Sequence, residues 1–269
     1  MTLQESKGIL LFDYDGTLVD GSIGIHDMSE RTLKALNDAR DNGYIVMLAS
    51  GRSIAMVLPV KDNFNGFITS NGSHAEILGE SYHDMYIPVD VLKDIRTFMS
   101  GKEDRITGNF ETQEGAKALA YGTPLYKHNI AYFNLDESQY SPFEGDYSTG
   151  FHKMTIAYTD PAAIKEMIET FAGRIEIIDH PLENYAEVMP FGCTKGMALE
   201  AILEKTGYDR DKVYAFGDSE NDVTMLKAAG HATIMAKHSP GMEEIAEFVT
   251  KLVEEEGIEY ALKHYGIIE

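Results

Sequence analysis

The stretch Ile9-Leu10-Leu11-Phe12-Asp13-Tyr14-Asp15-Gly16-Thr17 decides the predicted fold. Its first four residues form a short apolar run that ends at carboxylates, which is typical of a strand buried on both faces of a parallel sheet. Ligands of such sheets bind at the carboxyl ends of the strands. Asp13 and Asp15 would repel each other there unless a proton or a cation such as Mg2+ lies between them. A turn in which Asp and Gly only end the strand explains the same residues.

Strands and helices alternate in the sequence on either side of a long middle segment. Ser29 is a predicted helix N-cap, and the apolar run 44–49 predicts a second buried strand. The pattern resumes later with a predicted helix over 195–206 and a strand over 213–216. Strands joined by helices predict an α/β fold with a doubly wound parallel sheet.

The middle segment, 83–188, has a different pattern. Residues 130–135 and 154–158 predict strands of a half-exposed sheet, and amphipathic helical spacing occurs between strand-like runs. We therefore predict a Rossmann-like catalytic core built from 1–82 and 189–269, with an α+β domain over 83–188 inserted into it.

Length, charge and cysteine content exclude several classes of protein. The chain has 269 residues and a formal net charge of −21, so about 150 residues per domain predicts two domains. Nucleic-acid backbones and anionic membranes require a dense basic face, so neither is a predicted partner. We find no signal-peptide pattern and no apolar stretch that approaches a membrane span. Cys193 is the only cysteine, which excludes an intrachain disulfide and favours a reducing, cytoplasmic location.

Three further polar clusters follow, or lie just beyond, predicted core strands. Ser50-Gly51-Arg52 offers a hydroxyl and backbone N–H groups to an anion, although a simple N-cap role for Ser50 is the plainer explanation. Lys195 begins a helix against the dipole preference, which suggests an anionic ligand, but a solvated lysine is the default. Asp218 and Asp222 lie at the start of another helix, where capping alone could explain them. Together the four clusters supply the components of phosphoryl transfer.

These clusters also carry a family resemblance. D-Y-D-G-T at Asp13, A-S-G-R ending at Arg52, T-K-G at Lys195 and G-D-S-E-N-D at Asp218 resemble, in order, the four motifs of the haloacid dehalogenase superfamily. The chain looks most like the Cof-type phosphatases, whose large α/β cap is inserted between the second and third motifs. S-N-G at 70–72 is also family-like. The resemblance implies a Mg2+-dependent phosphatase that hydrolyses sugar phosphates or related phosphometabolites through an aspartyl-phosphate, with the cap closing over the substrate.

The resemblance implies a role for each motif residue. Asp13 would be the nucleophile, and Asp15 the general acid that protonates the leaving alkoxide and then activates water. Mg2+ would be held by the carboxylates of Asp13 and Asp218 and the backbone carbonyl of Asp15, with Asp222 supporting these ligands. The remaining predicted residues bind phosphate or support the site: Tyr14, Ser50, Gly51, Lys195 and Asn221 for phosphate, with Thr17 and Arg52 in support.

Two other functions remain open at this level. A phosphomutase of the same superfamily would return the phosphoryl group to a sugar, and a non-catalytic phosphometabolite-binding protein would have no need of the acid at Asp15. The predicted partner is a small phosphorylated metabolite, although no motif in 83–188 indicates which one. The sequence does not indicate an oligomeric state. One departure from the family pattern is Ala236-Lys237-His238, where such proteins often carry Gly-Asn-Ala.

Overall fold

The computed structural model describes residues 2–112, 115–132 and 135–269. Their secondary structure alternates between strands and helices, as the sequence pattern predicts. No helix in this part of the chain combines the length and the apolar character that crossing a bilayer requires.

The described residues form two compact units. Unit 1 comprises Met1–Arg52, Pro59–Asp84 and Thr194–Glu269, and unit 2 comprises Ser53–Leu58 and Met85–Cys193. The short helix after Arg52 therefore groups with the middle segment rather than with the strands that flank it. The domain boundaries predicted from the sequence, 1–82 with 189–269 and 83–188, remain a proposal.

The strands and helices have the following bounds. The strands are β1 (Ile9–Asp13), β2 (Ile45–Ala49), β3 (Gly66–Thr69), β4 (His74–Ile77), β5 (Glu80–Asp84), β6 (Ile106–Thr112), β7 (Gly115–Ala118), β8 (Tyr140–Pro142), β9 (Lys153–Tyr158), β10 (Ile175–His180), β11 (Tyr185–Pro190), β12 (Val213–Gly217), β13 (His231–Ile234) and β14 (Phe248–Val249). The α-helices are α1 (Glu30–Asp41), α2 (Ile54–Val57), α3 (Val89–Met99), α4 (Pro124–Tyr132), α5 (Pro161–Phe171), α6 (Lys195–Thr206), α7 (Val223–Ala228) and α8 (Gly257–His264).

The sheet of unit 1 has the strand order β14-β13-β12-β1-β2-β3-β4-β5. From β14 to β3 every pair is parallel, whereas β4 and β5 add antiparallel pairs at one edge. The predicted doubly wound parallel sheet is thus confirmed, and the two edge strands make the sheet mixed.

Burial explains why the apolar runs form the centre of this sheet. Every residue of β1 and β2 is buried, as expected of strands covered on both faces. Leu11 and Met47 belong to one apolar cluster with Leu199 and Ile202 of α6. The side chain of Ser29 accepts a hydrogen bond from the N–H of Thr32, which confirms the predicted N-cap of α1.

Unit 2 contains a second sheet with the order β10-β11-β9-β6-β7-β8, and its apolar cluster includes residues of α3 and α5. The predicted strand over 154–158 is confirmed by β9. The predicted strand over 130–135 is wrong as far as Tyr132, because α4 covers that part, and residues 133 and 134 lie outside the described residues. Pro124 begins α4 and the hydroxyl of Thr123 accepts a hydrogen bond from the third residue of the helix, so local start signals outweigh the strand-like alternation.

Candidate active site

Three of the four predicted clusters lie at the carboxyl ends of three neighbouring strands in unit 1. β1 ends at Asp13, β2 ends one residue before Ser50, and β12 ends one residue before Asp218. β1 pairs in parallel with both β2 and β12. Because parallel strands all end on the same side of a sheet, these residues meet there although they are far apart in the sequence.

Lys195 connects the first cluster to the last. Its Nζ donates hydrogen bonds to Asp13 Oδ1 and Asp222 Oδ1, each at 2.6 Å, and its side chain is 0% exposed. Burial opposes the charge of the ammonium, but the carboxylates of Asp13 and Asp222 raise the pKa of Lys195 overall. The alternative of a solvated surface lysine is therefore wrong, and the site contains a fixed buried cation.

Three carboxyl groups, two of which contact Lys195, form a cluster at this site. Oxygen atoms of Asp13, Asp218 and Asp222 all lie within 4.8 Å of one another. Burial, followed by repulsion from Asp222, raises the pKa of Asp13 well above its usual value and that of Asp218 to about 6. Oδ2 of Asp13 is buried and accepts no hydrogen bond from the described residues. One lysine cannot balance three carboxylates, so the oxygen-rich cluster fits a hard divalent cation.

Asp222 differs from the other two carboxylates in its partners. Oδ2 of Asp222 accepts the backbone N–H groups of Asp218 and Ser219 at 3.0 and 3.1 Å, while Oδ1 accepts from Lys195. Both oxygens are therefore engaged in holding the loop that carries Asp218. This leaves Asp13 and Asp218 as the side chains that could contact a metal directly.

The loop after β1 is shaped to accommodate Asp218. Thr17 Oγ1 donates a hydrogen bond of 3.1 Å to Asp218 Oδ1. Gly16 has a φ of +99°, and a Cβ built on it would lie 2.2 Å from Asp218 Oδ2. Only glycine permits this backbone and this approach. The contacts with Asp218 therefore explain both the glycine and the threonine of the first motif.

Asp15 is held by Arg52 at the edge of the site. The Arg52 guanidinium donates from Nε to Asp15 Oδ2 at 2.9 Å and from Nη2 to Oδ1 at 2.7 Å, and it lies 4.7 Å above the Tyr14 ring. This bidentate geometry fixes the carboxylate strongly. The Asp15 side chain is 54% exposed, unlike the buried Asp13.

Ser50 and Asn221 approach the site from two further loops. Ser50 is buried, and its Oγ accepts the backbone N–H of Arg52 at 3.1 Å, a local turn that still leaves the hydroxyl hydrogen to donate. Asn221 Nδ2 donates to Asn71 Oδ1 at 3.1 Å. Asn71 is not among the predicted site residues, although the family-like S-N-G pattern at 70–72 pointed to this turn.

Lys237, where the sequence departs from the family pattern, contacts the loop after β1. Lys237 Nζ donates to Asp20 Oδ2 and Ser22 Oγ, each at 2.7 Å, and the backbone N–H of Ser239 donates to the carbonyl of Asp218 at 2.8 Å. The lysine therefore ties the 236–239 loop to the loop that bears Asp15. Sequence reasoning singled out the position but not its partner.

Comparison with known proteins gives a consistent result over nearly the whole chain. A family model described as haloacid dehalogenase-like hydrolase matches residues 10–262. The HMP-PP phosphatase of Yersinia enterocolitica is 27% identical over 267 residues, with 94% of this chain and 93% of that protein covered. The 5-amino-6-(5-phospho-D-ribitylamino)uracil phosphatase YcsE of Bacillus subtilis is 24% identical over 261 residues, with coverages of 96% and 95%.

One similar solved structure is that of BT4131, described as a subclass IIB sugar phosphatase. It superposes with a TM-score of 0.77 at 26% identity, covering 97% of this chain and 100% of that one. The match extends over both sheets, so the arrangement of a mixed core sheet with a second, inserted sheet is that of subclass IIB structures.

Proposed function

Because the chain belongs to the haloacid dehalogenase-like hydrolase family, we propose that the site in unit 1 hydrolyses phosphate monoesters with Asp13 as nucleophile and Mg2+ as cofactor. The protein is a phosphatase of this superfamily that acts on small phosphorylated metabolites. Sugar phosphates and related phosphometabolites are the proposed substrates, since the relatives above are named for chemically different phosphate esters. A cytoplasmic location remains a prediction.

The observation that carries the proposal is the environment of Asp13. One carboxylate oxygen is held by the buried ammonium of Lys195, and the other is buried without a hydrogen-bond partner among the described residues. A carboxylate with one oxygen held in place and the other without a hydrogen-bond partner is positioned to attack phosphorus. A protein that only bound phosphometabolites would need neither a nucleophile at Asp13 nor an acid at Asp15.

The proposed reaction has two steps in which Asp13 and Asp15 alternate. Oδ2 of Asp13 attacks phosphorus, the bond from phosphorus to the ester oxygen breaks, and Asp15 gives its proton to the leaving alkoxide. Asp15 then takes a proton from water, the water oxygen attacks phosphorus, and the bond to Asp13 breaks to release phosphate. Both carboxylate oxygens of Asp15 accept hydrogen bonds from Arg52, so we infer that this bidentate contact opens when Asp15 gives its proton to the leaving alkoxide.

The remaining residues stabilise charge in both steps. When bound, Mg2+ supplies positive charge that offsets the carboxylates and the phosphoryl oxygens; the carboxylates of Asp13 and Asp218 and the backbone carbonyl of Asp15 are its proposed ligands. Lys195, Ser50, Asn221 and the backbone N–H groups of Tyr14 and Gly51 are the proposed contacts to the phosphoryl oxygens.

Mg2+ affinity is expected to depend on pH through Asp218. The pKa of its carboxyl group is about 6, so below pH 6 the metal must displace a proton and binds more weakly, by up to about tenfold per pH unit for one proton. Because the pKa of Asp13 is raised as well, the Mg2+ affinity should fall more steeply as the pH decreases. Above pH 7, where Asp218 is ionised, this carboxyl group should contribute no further pH dependence.

Calorimetric titration with Mg2+ between pH 5 and pH 8 measures this dependence, with Asp218→Asn as the control that loses most of the affinity at every pH. A constant affinity across this range would remove Asp218 from the proposed ligands.

A screen of about a hundred phosphorylated metabolites for phosphate release tests the function itself. We expect Mg2+-dependent release from sugar phosphates or related esters and none after chelation. Isomer formation from a hexose phosphate without phosphate release would indicate a phosphomutase. Saturable binding of phosphate esters with no turnover over hours would overturn the proposal in favour of a binding protein.

A further inference from the structure

The turn Ser70–Gly72, directly after β3, has a strained backbone. Ser70 and Asn71 have φ values of 52° and 55°, and Gly72 follows with 105°. Residues other than glycine rarely adopt positive φ, and two in succession persist only where the surroundings impose them. Ser70 and Asn71 are 2% and 3% exposed, so this is a buried turn. Strain of this kind is concentrated at functional sites.

The backbone of the turn holds the loop after β2. The N–H of Ser70 donates to the carbonyl of Arg52 at 2.8 Å, and the N–H of Asn71 donates to the carbonyl of Ser50 at 3.1 Å. A Cβ on Gly51 would lie 3.0 Å from Asn71 Oδ1. The proposed phosphate-binding loop 50–52 thus rests on the turn over its whole length.

Gly72 brings the same turn against the start of α6. A Cβ on Gly72 would lie 2.1 Å from the carbonyl oxygen of Thr194 and 2.9 Å from the backbone nitrogen of Lys195. With its positive φ as well, this position accepts only glycine without displacement. The turn therefore also fixes the point from which the Lys195 side chain extends.

The side chain of Asn71 reaches the fourth motif. Its Oδ1 accepts a hydrogen bond from Asn221 Nδ2 at 3.1 Å, while the hydroxyl of Ser219 donates to Asn221 Oδ1 at 2.7 Å. These two bonds orient the Asn221 amide. Since Nδ2 carries two N–H groups, one of them remains for an acceptor other than Asn71.

We propose that Asn71 is a positioning residue of the phosphoryl-transfer site, and that the 70–72 turn holds the loops bearing Ser50, Lys195 and Asn221 in one geometry. Asn71 acts through Asn221, whose remaining N–H it directs at a phosphate oxygen. The inference rests on the proposed function, in which Asn221 binds phosphate. The backbone strain is the consequence of bringing three loops against one turn.

Asn71→Gly tests this role because glycine adopts the left-handed backbone readily, while the whole side chain is lost, including the amide that contacts Asn221. We expect the KM for p-nitrophenyl phosphate to rise about tenfold, the loss of one well-aimed hydrogen bond to a charged group. The kcat should change by less than about threefold, since a contact made equally in the ground and transition states affects KM. The Kd of inorganic phosphate, measured by calorimetry in saturating Mg2+, should rise by the same factor.

A matched control and a double variant separate positioning from stability. Asn184, in the β10–β11 hairpin of unit 2, has a φ of 52°, so Asn184→Gly makes the same change at the same backbone geometry and should leave both constants unchanged. In an Asn221→Ala background, Asn71→Gly should raise KM no further. A purely structural Asn71 would instead add its full effect there and lower the Tm.

The outcomes distinguish this inference from the proposed function. If the wild type releases phosphate but Asn71→Gly leaves the KM and the phosphate Kd unchanged, the role of Asn71 is overturned and the function stands. If no ester is hydrolysed, the function fails, while the phosphate Kd of wild type and variant still tests Asn71.

Discussion

Asp13→Asn is expected to lower kcat by about ten thousand-fold or more, the scale on which loss of a catalytic group acts. An amide is a poor nucleophile towards phosphorus, and the substitution also removes one charge from the proposed metal site. The shape of the side chain is kept, and its Oδ1 can still accept from Lys195 Nζ, which lies 2.6 Å away in the wild type. The measurement is kcat with p-nitrophenyl phosphate and with the best metabolite found.

The fold should survive this substitution. Since burial raises the pKa of Asp13, the ionised carboxylate is disfavoured in the metal-free protein, and a neutral Asn relieves that penalty. The Tm without Mg2+ should therefore equal or exceed that of the wild type. Asp38→Asn, on the exposed face of α1, is the matched control and should retain full activity. A kcat within tenfold of the wild type in Asp13→Asn would exclude Asp13 as the nucleophile.

The parts of the fold that sequence predicted are those set by local signals. The apolar run from Ile9 gives β1, and α6 runs over the predicted residues because Thr194 caps its start and Gly207 its end. The strand predicted over 130–135 is wrong as far as Tyr132, which shows that a short apolar run cannot be told from part of a helix by its pattern alone.

The contacts within the site were less predictable because they join distant residues. Lys195 and Asp13 are 182 positions apart, so the sequence could propose a cation near the nucleophile but not its complete burial. Asn71 could not be found by residue chemistry, because its importance lies in a positive φ and in a partner 150 positions away. The pairing of Lys237 with Asp20 likewise cannot be predicted until β1 and β13 are placed in one sheet.

Lys195→Met is expected to lower the free energy of unfolding by about 3–5 kcal/mol at pH 7, the usual effect of removing one partner from a buried ion pair. Methionine fills a similar volume but leaves Asp13 and Asp222 without their cation. The loss should be smaller near pH 5, because the pKa of Asp13 is raised by burial and its protonation at the lower pH removes one of the charges that Lys195 balances. Denaturant unfolding of the metal-free protein at both pH values measures this change.

The same substitution should lower kcat by about a hundred- to a thousand-fold, because the fixed positive charge beside the reacting phosphoryl group is lost. The double variant Lys195→Met with Asp222→Asn separates this effect from stability. The amide oxygen introduced by Asp222→Asn can still accept the N–H groups of Asp218 and Ser219, and one buried negative charge is gone, so much of the unfolding free energy should return. The kcat should stay low, since neither change restores the cation. If kcat instead recovered together with stability, Lys195 would be a structural residue that supports the site without acting on phosphate.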